Sequence, residues 1–168
     1  MKEMKAMALP STIKEVLLRT FEHATESHEK VLLALETISG SKDYRQTLAE
    51  GYYGNRIAVL ETVLTSKEAV GAFWERLRSR GLLAGIEENL EERVNDSGEL
   101  FLRFDKQAAV EGRLVLSQGD DVVIARARVR GFPTGAPTRC RRDRVIEEVR
   151  HFLRELGGSG IPERSPDS

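Results

Sequence analysis

Two hydrophobic rhythms run along this chain, one of period two and one near 3.6, and each predicts its own kind of element. Residues 12–21, TIKEVLLRTF, are β-branched and apolar enough for a strand. In TESHEKVLLALETISG, Val31, Leu32, Leu35 and Ile38 share one helical face, with Thr25 or Ser27 as cap and Gly40 as stop. YRQTLAEGYYGN reads as a strand closing in a glycine-bearing turn, and RIAVLETVL, apolar on both faces, as a central strand. Thr65-Ser66-Lys67-Glu68 is a capping box for a helix whose stripe is Val70, Phe73, Trp74 and Leu77, with Gly81 just past its end. LLAGIEENL suits one more short helix.

The C-terminal half predicts three strands, 99–104, 113–117 and 121–131. ELFLRF sends Leu100, Leu102 and Phe104 to one side and Phe101 and Arg103 to the other, because side chains alternate across a strand. Asp105 suits an N-cap, and KQAAVEG one to two helical turns ended by Gly112, so that the chain enters RLVLS with its core face preserved. SQGDD supplies a hairpin turn between the second and third of these strands. A last helix from about Asp143 to Leu156 carries Val145, Ile146, Val149, Phe152, Leu153 and Leu156 on one face.

The element order is roughly β-α-β-β-α-(α)-β-α-β-β-α. It predicts an α+β fold: a two-layer sandwich, mostly antiparallel sheet with helices on one face, the other face left for water or a partner. Residues 12–156 form the expected domain, after an N-terminal extension, 1–11, and before a flexible tail, 157–168, with the composition GGSGIPERSPDS. A chain of 168 residues needs no disulfide or metal to fold, and its single cysteine, Cys140, excludes a disulfide framework. No stretch approaches the roughly 18–20 apolar residues of a membrane span and the start lacks a signal-peptide core, so a cytoplasmic protein is expected. Three Asn and three Gln amid abundant Arg and Glu lean towards a thermophile.

Net charge is −1, yet residues 113–154 hold ten Arg and no Lys against five acids. VVIARARVRG explains part of that excess. Val123, Ala125, Ala127 and Val129 are small enough to lie under helices, whereas Val122, Ile124, Arg126, Arg128 and Arg130 face away. Alternate strand residues are about 7 Å apart, near the phosphate spacing of an extended nucleic-acid strand. With Arg103, Arg113 and Lys106 extending the track and Phe101 offering a stacking surface, the row predicts an RNA-binding face. Lys106 and Gln107 occupy a helix first turn, which favours either anion contact or plain capping at the solvent. The arginines equally suit the solvated side of a sheet balanced by glutamates. Alternatively, Phe101, Val115, Val122 and Ile124 would be buried in a homodimer without nucleic acid.

No Walker loop, GxSxG, HExxH or CxxC is present, so an enzyme reading has no residues to rest on, and no cofactor is expected. His23 and His28 with Glu22, Glu26 and Glu29 straddle a strand-to-helix change without a third ligand set, which reads as capping rather than a metal site. Tyr52-Tyr53 and Asp120-Asp121 read as turn residues.

EGYYGNRIAVLE, ELFLRFDKQAAVEGRLVL and GDDVVIARARVRGFP together resemble the archaeal RNA-binding-domain family of predicted exosome-associated proteins, with HATE at 23–26 and FWERL at 73–77 in the same pattern. The resemblance spans about residues 12–156, and LRFDKQAA is its most specific block. It implies a fold similar to that of the ribosomal protein that binds 5S RNA and a non-catalytic role as an accessory to RNA processing or degradation. No site residue is carried over from it.

Overall fold

A computed structural model describes residues 12–50, 56–129 and 138–158. Five strands form one sheet among these residues: β1 (Ile13–His23), β2 (Arg45–Glu50), β3 (Arg56–Leu64), β4 (Glu99–Asp105) and β5 (Val122–Val129). Six helices accompany them: α1 (His28–Ser39), α2 (Lys67–Ser79), α3 (Leu83–Glu88), α4 (Leu90–Arg93), α5 (Lys106–Val110) and α6 (Thr138–Gly158). The order across the sheet is β2-β3-β1-β5-β4, antiparallel at every junction. The α+β sandwich predicted from the element order is the fold observed, with LLAGIEENL split into α3 and the start of α4.

Period-two alternation decides which side is covered. Val16 and Leu18 of β1, Leu60 and Leu64 of β3, Leu100, Leu102 and Phe104 of β4, and Val123, Ala125 and Ala127 of β5 are all buried on the helix side. Against them lie the expected α2 stripe, Val70, Phe73, Trp74 and Leu77, and Val149 and Phe152 of α6. Edge-to-face ring pairs knit the core, Trp74 of α2 on Phe152 of α6 at 5.2 Å within the helix layer and Phe73 of α2 on Phe104 of β4 at 6.4 Å between the layers. Among the described residues no helix is long and apolar enough to cross a membrane. The expected extension, 1–11, lies outside the described residues, as does the tail apart from Gly157 and Gly158, which end α6.

One expected strand is absent. Against β4, residues 113–117 make only an isolated bridge, Phe104 with Leu116, and two backbone bonds, Asp105 N–H to the Val115 carbonyl and Ser117 N–H to that of Arg103. These bonds place 115–117 along the outer edge of β4, while β5 pairs with its inner edge. SQGDD is therefore no hairpin turn. It carries the chain over the end of β4, where the Arg103 guanidinium donates to the Gly119 carbonyl at 2.6 Å.

Gly40 ends α1 in the left-handed region at φ +75°, and a Cβ there would run into the Arg76 guanidinium, which itself donates to the Ile38 carbonyl at 3.0 Å. Gly81 has almost the same φ, +76°, with nothing within 4 Å of its would-be Cβ. Gly81→Ala is expected to cost about 1 kcal/mol for the backbone alone. Gly40→Ala should cost about twice that or more, because it also displaces a half-buried guanidinium. Urea denaturation of both variants checks the pair, and equal losses would deny the steric contribution.

Candidate nucleic-acid interface

Sheet register assembles the uncovered face row by row. Arg45, Glu61, Arg19, Ile124 and Arg103 lie side by side across all five strands. The next row towards the start of β1 holds Val63, Leu17, Arg126 and Phe101, and beyond it come Glu15, Arg128 and Glu99. On the opposite flank Thr47, Val59 and Phe21 are neighbours. The face is thus a mosaic of arginines and apolar groups, with Phe21 41% and Val63 46% exposed.

Five arginines, Arg19, Arg45, Arg103, Arg126 and Arg128, share the face with three glutamates, Glu15, Glu61 and Glu99, and with Asp105 at the end of β4, while Asp120 of the adjoining loop lies 4.0 Å from Arg103. Glu61 lies between Arg19, at 2.6 Å, and Arg45, at 3.1 Å. Its partial burial alone would raise its carboxyl, but hydrogen bonds and charge from the two arginines outweigh that and hold it below the ordinary carboxylate range. The other pairs are looser: Arg126 to Glu99 at 3.6 Å, Arg128 to Glu15 at 3.5 Å, and Arg103 to the exposed Asp120 at 4.0 Å. At these separations the partly exposed pairs are loose, which leaves their guanidinium groups able to take a phosphate. The acid-balanced sheet side weighed from the residues is therefore present, with Glu61 alone serving two arginines.

Of the expected site residues, Arg103, Arg126, Arg128 and Phe101 come together on this face. Arg130 lies outside the described residues. Arg113 is off the sheet, at the corner after α5, and pairs with Glu111 at 2.6 Å. Val122, expected at the surface, is buried at 5%, and the exposed Val115 sits on the outer edge of β4, so the four residues weighed for a dimer form no single patch.

Lys106 corrects the expectation most sharply. It is 2% exposed, and its Nζ donates to the Phe21 carbonyl at 2.7 Å and pairs with Glu26 and Asp121, each at 3.0 Å. Gln107 binds the same Asp121 carboxylate at 2.9 Å. The DKQ break is thus a clasp: Asp105 caps α5 through the Ala108 N–H, while Lys106 ties α5 to the end of β1 and the start of β5. The Asp121 carboxyl is held below its usual value by the Gln107 hydrogen bond first and then by Lys106, against the opposing effect of burial.

Arg19, Arg45, Phe21, Leu17 and Val63 were not singled out from the sequence, although Glu15, Leu17, Arg19 and Phe21 alternate as clearly as the β5 row. Among the described residues no group of three His, Cys, Asp or Glu side chains could hold a metal ion, and His28 is engaged with Glu22 at 2.7 Å.

Residues 15–129 match a family model described as RNA binding. The chain is 36% identical over 149 residues to the RNA-binding protein PAB1135 of Pyrococcus abyssi, covering 82% of this chain and 92% of that one. Among solved structures, Mth689, a DUF54 protein from Methanothermobacter thermautotrophicus, aligns with TM-score 0.72 and 30% identity over 84% of this chain and 98% of its own. SSO0741 from Sulfolobus solfataricus aligns with TM-score 0.62 and 28% identity, over 88% and 99%.

Proposed function

For a chain that belongs to this RNA-binding family, we propose that the uncovered sheet face holds RNA, without catalysis, in an accessory role in RNA processing or degradation in the cytoplasm. Association with an exosome belongs to the same reading, through the family resemblance. One observation carries the site: the face not covered by helices lines up five arginines, two of which share the single carboxylate of Glu61, and interleaves them with the exposed Phe21 and Val63. Phosphates would take the guanidinium groups while bases lie on the apolar squares of the mosaic. Phosphate contacts carry no sequence information, so binding should be largely sequence-independent and of micromolar order or weaker.

Salt dependence tests this directly. If Arg19, Arg126 and Arg128 each neutralise one phosphate of a single strand, log affinity falls against log salt with a slope near −2, from about 0.7 per phosphate. Arg126→Gln with Arg128→Gln should bring that slope to about −0.7, measured by fluorescence anisotropy on a labelled single-stranded RNA. A slope that stays at the wild-type value removes these arginines from the interface.

A further inference from the structure

The two edges of the sheet are treated differently. The outer edge of β4 is closed by the chain itself: Val94 bridges Leu100, Asn95 N–H donates to the Glu99 carbonyl, and the 115–117 segment supplies the bonds described above. β2, at the opposite edge, pairs with β3 alone, and among the described residues no backbone group bonds its other side. Its register with β3 runs without a bulge from Arg45 opposite Glu61 to Glu50 opposite Arg56. The strand contains neither proline nor lysine, the usual devices against edge pairing. Leu48, on the helix side of this strand, is 61% exposed, and Tyr44, the residue just before the strand, is 43% exposed.

We propose that a second copy of this chain pairs here, β2 against β2, antiparallel about a twofold axis normal to the sheet. The strand suits its own copy. Directly opposite residues must point to the same face, so the registers that pair five residues from each copy are centred on Thr47 or on Leu48. Centred on Thr47, the pairs are Thr47 with Thr47, Gln46 with Leu48 and Arg45 with Ala49. Threonine opposite threonine is favourable across strands, and no like charges face each other. Either register sets Leu48 directly opposite or diagonal to its counterpart, removing from water the large apolar group that is most exposed among the described residues. A twofold axis normal to the sheet leaves both uncovered faces on one side of a ten-stranded sheet. On the RNA reading, the Thr47–Val59–Phe21 row of one copy then continues into that of the other in the Thr47-centred register.

Sedimentation equilibrium of the full chain, without RNA, tests the pairing. An interface this small predicts a reversible dimer of micromolar order. Leu48→Lys should weaken it at least tenfold, because it sets like charges opposite or diagonal across the axis, and Thr47→Lys should do the same from the other face. Both side chains are exposed, so thermal unfolding at a dilution where the chain is monomeric should stay at the wild-type value. A wild-type chain that remains monomeric up to about 500 μM, well above the affinity expected of so small an interface, overturns the proposal and leaves the edge to another protein. A dimer that both substitutions leave intact overturns it too, by placing the interface elsewhere.

Discussion

Lys106→Met should lower the unfolding free energy by about 3 kcal/mol, the low end of what breaking a buried ion pair costs. The methionine keeps the aliphatic stem in place and deletes only the ammonium. That group serves three acceptors, the Phe21 carbonyl, Glu26 and Asp121, which belong to three different parts of the chain. The low end applies because the abandoned carboxylates reach water, Glu26 being 21% and Asp121 53% exposed, whereas the ammonium they lose is almost fully enclosed. In a chain of this size, about 3 kcal/mol appears as a fall of about 6–12 °C in Tm. The pH dependence has a definite sign. Asp121 has a folded-state pKa below its unfolded value, so its contribution is present at neutral pH and is lost as pH falls through the folded value. The gap between wild type and variant should therefore narrow below about pH 4, the unperturbed carboxylate range. A Tm within about 2 °C of wild type, under 1 kcal/mol for a chain this long, would show that the clasp contributes little.

That clasp also marks where reading the sequence alone runs out. The core sides of β4 and β5 were legible because period-two alternation is local: Leu100, Leu102 and Phe104, or Val123, Ala125 and Ala127, declare their face without knowledge of any partner. The helix stripe through Phe73 and Trp74 was legible for the same reason. Nothing local says that Lys106 meets Glu26, 80 residues earlier. A lysine after an N-capping aspartate has every reason to look solvent-facing. Strand order is likewise non-local. Residues 113–117 alternate well enough for a strand, but they run along the outer edge of β4 beyond the last full ladder of the sheet. The hairpin that would have set Val115 beside Ile124 does not form. The arginine row of β5 was found because arginines stand out in an alternating run. The matching row on β1 carries one arginine among apolar groups, and it acquires its meaning only from the order β3-β1-β5, which sets Arg19 beside Ile124 and Leu17 beside Arg126.

Phe21→Ala should weaken binding of single-stranded RNA by about 5- to 150-fold, the equivalent of about 1–3 kcal/mol for one stacked base, with the salt slope unchanged. Sequence reasoning put the stacking group at Phe101, and the register places Phe101 on the right face but directly opposite Arg126, in a partly buried position. Phe21 is the more open ring, 41% exposed on the central strand, flanked by Val59 and one register step from Arg19. A base lying on Phe21 would leave its phosphates within reach of the Arg19 and Arg45 row, whose carboxylate, Glu61, is shared between two arginines and so leaves one positive charge unbalanced. Removing the ring deletes apolar contact and no charge. Affinity and salt slope should therefore separate, whereas in the Arg126→Gln and Arg128→Gln variant they fall together. Phe21→Leu, which keeps bulk but not the π face, should recover only part of the loss. Binding by Phe21→Ala within about twofold of wild type, well below the loss of one stacked base, would mean that bases do not lie on β1. The arginines would then hold RNA by its backbone alone.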